Sequence, residues 1–600
     1  MLQLPGDVRP THYALSMEIV PSRERFRGAA DIDIRLERPR TVLWLHGRDL
    51  HVSASTVGDA AAAYEQVNPE GLVRLVLSSP VGPGDARIHL EWDAPFDPRI
   101  VGLYLAHEAG EAYAFTQFES VDARRAFPGF DEPLFKTPFD VTLTVPASHV
   151  AIANTLPTEE APAGDGLKRV RFATTQPLPT YLLIWAVGPF DVVAPPPLPP
   201  NEVRHRPLPV RGVAPRGRGA ELATALETGA AQLVLQEKYF GVPFPFEKLD
   251  HIAAPDYTYG AMENAGGILY REELLLFKPG VSSEDTRRAI GSVMAHEISH
   301  QWFGDLVTLR WWTDAWLNES FATWMGTRTE EEWDPSMRAG LYQLTHGHKA
   351  MAIDALKSAR AVRQPLDDVK NIWNQFDAIT YEKGAMVLSM FERFVGEEKF
   401  RAGIHAYLAS HAYGSGDTGE LLDALSQAAG RDVKAAFQTF LDQPGMPIVD
   451  VRATCEREKG KLRLEQARYV PLGSDGSREG AWKIPICVHY GAAGGTRQAC
   501  TLLEARTGEL ALDSCPEWVM PNADAAGYYR WSLPAPELQE LSGGAYPQLS
   551  ARERLSLADN VRAAMRSGRL AFADGVPAIA AMARDPDPQV AATPFLLLKE

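Results

Sequence analysis

The chain has 600 residues, too many for one hydrophobic core, because single cores stop growing near roughly 250 to 300 residues; several domains are expected. Its 45% hydrophobic and 23% charged residues are ordinary for a globular protein, and no stretch approaches the roughly 18 uninterrupted apolar residues that a membrane span needs. A formal net charge of -17 argues against a surface built to hold phosphate backbones, so nucleic acid is excluded as an expected partner.

The opening MLQLPGDVRP lacks the basic and apolar regions of a secretory signal, so the chain as it stands reads as cytoplasmic; the alternative is export with the signal removed. Residues 1–193 alternate apolar and polar positions in HYALSMEIV, AADIDIRL, RIHLEW and DVTLTV, with Pro, Gly and Asp between them, which predicts an antiparallel β domain. Residues 194–209, within APPPLPPNEVRHRPLP, are too proline-rich for sheet or helix and read as a linker.

From there to residue 446 the period is helical, first in GAELATALETGAAQLVLQEKYF and then in SSEDTRRAIGSVMAHEISHQWF. Ser282 and Ser283 can cap the second helix, and Glu284 and Asp285 suit its positive start. Alternation returns over 447–534 in KLRLEQARYV, WKIPICVHY and YYRWSL, predicting a small second β-sandwich. Cys455, Cys487, Cys500 and Cys515 all lie in that stretch, where they form either two disulfides or small buried apolar contacts. Residues 535–600 are helical again but too few to bury their own apolar faces, so either the natural chain continues or these helices lean on other domains.

The chemical signal is HEISH, His296 to His300, on a helix whose Ile290, Val293, Met294 and Ile298 recur at helical spacing. Histidines four apart stand one turn above each other, so both imidazoles can reach one tetrahedral ion. Glu297 projects to the same side, where a general base for a metal-activated water must lie. In the later run WWTDAWLNESFATWM, Glu319 falls on the buried face of a second predicted helix, and a buried carboxylate is costly unless it is paired or binds a cation. Two histidines and a glutamate with an open fourth position predict one catalytic zinc ion per chain. An exopeptidase must also hold a free α-ammonium; Glu263 in DYTYGAMENAGGILYRE and Glu119 in FTQFESVDARRAFPGFDEP are the candidate carboxylates.

TQFE, RRAFPGFDEP, GAMEN, HEISHQWFG, WLNESFATW and YEKGA, in that order along the chain, together resemble the zinc aminopeptidases of the aminopeptidase N (alanyl aminopeptidase) type, within the gluzincins. The resemblance implies a multidomain α+β fold: an N-terminal β-sandwich saddle, a thermolysin-like catalytic domain, a small β-sandwich and the start of a helical solenoid. It implies His296, His300 and Glu319 as zinc ligands and Glu297 as base and proton shuttle. It further implies Glu263 and Glu119 as anchors for the amino terminus of a peptide substrate. Gly260, Ala261, Met262 and Asn264 complete the substrate-lining motif, and Tyr381 matches the tyrosine that stabilises the oxyanion.

The pattern departs at Ser320, where many members carry glycine; all ligands remain, and no change of mechanism is expected. An endopeptidase of the same zinc class would cut N-acetylated peptides, and the epoxide-hydrolase branch typically carries glutamine in place of Glu119. A non-catalytic scaffold would be expected to have lost a ligand or the base, and here each is present.

Overall fold

The alternating N-terminal runs become strands: Phe139–Pro146 buries every second residue, as a strand with one face on a core must. The computed structural model describes residues 3–595, so the outermost positions of the expected terminal segments, residues 1–2 and 596–600, lie outside the described residues. The architecture is mixed α/β, with a β-rich N-terminal part and a helical C-terminal part, and the chain divides into two compact units. One comprises residues 1–318, 366–373 and 408–417; the other comprises 319–365, 374–407 and the chain from 418 onward.

In the first unit a ten-stranded sheet runs from Pro157–Gly164 at one edge to Arg40–His46 at the other, with Val8–Glu18 and Arg25–Leu36 near its middle. Its pairings are antiparallel except where Val8–Glu18 meets Phe139–Pro146. A four-stranded sheet, ordered Val150–Ala153, Trp185–Gly188, Glu111–Gln117 and Gly102–Glu108, carries the run that ends in Glu119. A five-stranded sheet follows, ordered Phe190–Val193, Val210–Pro215, Leu249–Ala254, Gly267–Arg271 and Ala261–Met262. Ala261 and Met262 thus form a two-residue edge strand, antiparallel to Tyr270 and Leu269. The proline-rich stretch between the first two of these strands is pinned to the domain, because buried Arg204 donates from Nε to Glu237 at 2.9 Å.

Two helices pack beside one another in this unit, α1 (Ala223–Phe240) and α2 (Glu284–His300). Gly229 of α1 permits the approach: a Cβ there would lie 2.7 Å from His251 and 3.0 Å from Met294 of α2. Gln232 and Gln236 fix the register by donating to the carbonyls of Gly291 and Ala295 at 2.9 and 2.7 Å. Ser283 caps α2, its hydroxyl accepting from the Thr286 amide at 3.1 Å, while Ser282 instead accepts from the Lys278 amide. Helix α3 (Trp316–Trp333) begins in this unit, and the division falls between Asn318 and Glu319.

The second unit contains α4 (Ala339–Asp354), the π turn Ile379–Lys383 and α5 (Gly384–Val395), then two further sheets. One has four strands, Thr507–Leu512, Lys459–Arg468, Pro447–Glu456 and Arg530–Ser532; the other has three, Gly495–Leu503, Ile484–Ala492 and Val519–Met520. Cys487 faces Cys500 across a strand pair and is bonded to it, and Cys455 is bonded to Cys515. The disulfide alternative is the one this structure adopts. The helix Ala551–Arg566 opens with a capping box of Ser550 and Glu553 and leans on the rest of its unit through Arg552 to the Gly340 carbonyl and Arg530 to Asp559. Among the described residues no helix is long and apolar enough to cross a membrane.

Candidate metal centre

On α2 the helical repeat brings His296 and His300 together, with their Nε2 atoms 3.0 Å apart. The Phe303 carbonyl lies 3.0 Å from Nδ1 of His300, so the proton sits on Nδ1 and the Nε2 lone pair is exposed toward His296. Two nitrogens bound to one tetrahedral zinc at about 2.0 to 2.1 Å stand roughly 3.3 Å apart, close to the observed spacing. The donor pair therefore fits a zinc-sized ion.

Carboxylates surround the same point. Glu263, Glu297 and His300 each offer a ligand atom within 4.8 Å of the others, and Glu119 and Glu263 are equally close to one another. Glu263 Oε1 is 3.8 Å from Nδ1 of His300, and Glu119, Glu263 and Glu297 are all buried. Their charges add to the effect of burial on neighbouring groups. Burial first, then Glu263, Asp305 and Glu119, push the Tyr181 phenol well above its ordinary pKa. Burial and Glu297 do the same to Tyr270. Burial, reinforced by Glu263, also raises the Asp305 carboxyl well above the carboxylate range. Buried carboxylates this close together are costly unless a cation offsets them, so Glu119, Glu263 and Glu297 favour a dication or an ammonium.

The motif Gly260–Ala261–Met262–Glu263–Asn264 is held from several sides. Gln301, next after His300, donates to the Glu263 carbonyl and accepts from the Gly266 amide, both at 2.9 Å. Asn264 donates to the Leu183 carbonyl at 3.1 Å. Tyr257 donates to Gln117 at 2.5 Å, and Gln117 in turn reaches the Met262 sulfur at 3.6 Å, which ties the TQFE segment to the motif. Below α2, the Lys136 ammonium donates to the carbonyls of Asp305, Leu306 and Gly414 at 2.8, 3.1 and 3.1 Å, using all three of its protons. Burial brings the pKa of Lys136 down to about 7, against the opposing charge of Asp305.

The first unit thus assembles His296, His300, Glu297, Glu263, Glu119 and the 260–264 motif. Glu319 and Tyr381 belong to the second unit: Glu319 is buried on α3, and Tyr381 is half-buried on the π turn. Sequence reasoning assigned no role to Gln117, Gln301, Asp305, Lys136 or Tyr257. Gln117 and Gln301 stood inside the motifs, two residues before Glu119 and directly after His300, and that proximity to candidate residues was the available signal.

Residues 224–440 match the family model for the Peptidase family M1 domain, and residues 9–182 match that for the Peptidase M1 N-terminal domain. The chain belongs to peptidase family M1. Relatives include Aminopeptidase M1-A of Oryza sativa subsp. japonica, 32% identical over 94% of this chain and 65% of the relative. Puromycin-sensitive aminopeptidase of Caenorhabditis elegans is 29% identical over 97% of this chain and 62% of its own length. Aminopeptidase 2, mitochondrial, of Saccharomyces cerevisiae is 31% identical over 94% and 59% respectively. This M1 chain therefore spans less than two thirds of each of these relatives.

Proposed function

We propose that the chain is a zinc aminopeptidase that removes the N-terminal residue from peptides. The observation that supports this most is the convergence of His296 and His300, Nε2 to Nε2 at 3.0 Å, with the buried carboxylates of Glu297 and Glu263 at the same point. His296, His300 and Glu319 would hold one zinc ion. When bound, zinc supplies Lewis acidity, which acidifies a water and polarises a carbonyl.

Glu263 and Glu119 bind the substrate's ammonium, which fixes the register so that the first peptide bond is presented for attack. The backbone of Gly260 to Asn264 lines the peptide, with Met262 bordering the pocket for the first side chain. Glu297 takes a proton from the attacking water and returns it to the departing amine. Tyr381 donates its phenolic hydrogen to the developing oxyanion. The aminopeptidase names of the M1 relatives support peptides with a free amino terminus as substrates.

The test is a panel of aminoacyl-coumarin substrates, free and N-acetylated, assayed before and after chelation and again after zinc is restored. Cleavage of free amines alone, lost with chelator and regained with zinc, is the expected result. Equal cleavage of N-acetylated substrates would make the protein an endopeptidase, and activity indifferent to chelation would remove the metal from the mechanism.

A further inference from the structure

Ser320 is the position at which the ligand helix departs from the pattern it otherwise resembles. It follows Glu319 on α3 and is fully buried. Its hydroxyl donates to the carbonyl of Thr380 at 2.6 Å. Thr380, also fully buried, immediately precedes Tyr381 within the π turn Ile379–Lys383. One helix therefore carries the proposed metal ligand and, at the next position, a tether to the turn that carries the proposed oxyanion donor.

The fit around this hydroxyl is close. A Cβ on Gly384 would lie 1.9 Å from Ser320 Oγ, so the backbone just beyond the turn is pressed against the serine and leaves no room for a side chain. A π turn is a rare excursion from the α-helix that tertiary contacts must sustain, and it recurs at functional sites for that reason. The other tethers come from elsewhere. Asp377 Oδ1 accepts from the amides of Ile379 and Thr380 at 2.8 and 3.3 Å, and Arg360 donates to both Asp377 Oδ1 and Thr380 Oγ1 at 2.6 Å. At the far end, the Lys383 ammonium donates to Asp354 at 2.9 Å. Asp377 and Arg360 hold the turn's shape and Lys383 ties it to α4, whereas Ser320 fixes its position relative to α3.

We propose that Ser320 is a positioning residue for catalysis: its hydroxyl holds the Thr380 carbonyl, and so sets where the Tyr381 phenol stands relative to the helix bearing Glu319. The inference rests on the assignment of Tyr381 and Glu319 made above. Its logic is geometric, since a donor displaced by about 1 Å from a developing oxyanion forfeits much of what the donor is worth.

A double-mutant cycle tests it. Ser320→Ala removes the hydroxyl and leaves a good helix former; Ser320→Gly removes it with less volume and serves as the second variant should alanine disturb packing. Tyr381→Phe and the double variant complete the cycle. Each is measured for kcat, KM, zinc affinity by chelator competition, and Tm. Ser320→Ala and Ser320→Gly are expected to lower kcat about tenfold with KM and zinc affinity near those of the parent. In the Tyr381→Phe background the same changes are expected to have no further effect on kcat. The proposal is overturned if kcat is unchanged, if the loss is equal with and without the Tyr381 hydroxyl, or if the loss follows weakened zinc binding. A Tyr381→Phe variant with parental kcat overturns the oxyanion assignment itself, and the tether's purpose with it.

Discussion

Helix α2 and the π turn Ile379–Lys383 present the side chains proposed to act in catalysis by different means. On α2 the backbone repeat does the aiming: residues four apart share a face, and the Nε2 atoms of His296 and His300 meet at 3.0 Å. The π turn has no such repeat to rely on, and side chains far away in sequence, Ser320 and Arg360 among them, hold it. Side chains can thus be aimed either by local geometry or by tertiary tethers. The first should fail only when a functional atom is removed. The second should fail by degrees when a tether is cut.

The largest effects are expected on α2. Glu297→Gln keeps the side-chain shape but removes the proton acceptor, so kcat should fall by about 10² to 10⁴ while zinc is retained. Single-turnover assays together with metal analysis check this, and a near-parental kcat would refute the role of Glu297. Next comes the clamp that joins the end of α2 to the 260–264 motif. Gln301→Ala leaves the Glu263 carbonyl and the Gly266 amide without this partner, and kcat/KM for free-amine substrates should fall roughly tenfold to a hundredfold as the bound substrate loses its register. Unchanged kinetics would show that the motif holds itself.

A smaller effect is expected from the tethered side. Arg360→Met cuts the bonds to Asp377 and Thr380, and should lower kcat by about threefold to tenfold while hydrogen exchange over 379–383 accelerates. Parental exchange rates there would mean that the turn is not held by its tethers.

The smallest effect provides a control in the same unit, away from the turn. Nδ1 of His489 bonds Glu553 at 2.7 Å, and that bond raises the histidine above its ordinary 6.5. Burial pushes the Glu553 carboxyl up, but the bonds from His489 and from the Ser550 amide outweigh it and leave the group below its ordinary 4.5. A raised histidine stabilises the fold below 6.5 and loses that contribution as pH climbs through its folded value. A depressed carboxylate stabilises above 4.5 and loses its contribution as pH falls through its folded value. The pair should therefore contribute most between 4.5 and 6.5. Raising the pH from about 5 to about 8 should lower Tm more in the parent than in His489→Gln, with kcat at a fixed pH alike in both. Matching Tm profiles would show the pair to be inert.

How much of this was legible in the sequence depends on the range of the interaction. The cap at Ser283, the buried face of α2 and the alternation along Phe139–Pro146 are products of near neighbours, and the residue pattern announced them. The cysteines were not legible in the same way. Clustering allowed two bonds or none, and only the strand register that sets Cys487 opposite Cys500 decides that pairing. The departure at Ser320 was visible as a letter, yet its effect was not, because its partner Thr380 lies 60 residues further on.

From the sequence alone came the element types, the shared face of His296 and His300, and the motifs that marked Glu119, Glu263, Glu297, Glu319 and Tyr381 for attention. The tertiary structure decided which distant groups meet: Gln117 with Met262, Gln301 with the Glu263 carbonyl, and Ser320 with Thr380. The reason is physical. Backbone periodicity is fixed by residues within one turn or one pleat, whereas a hydrogen bond between remote segments exists only when the packing of everything between them brings donor and acceptor within about 3 Å.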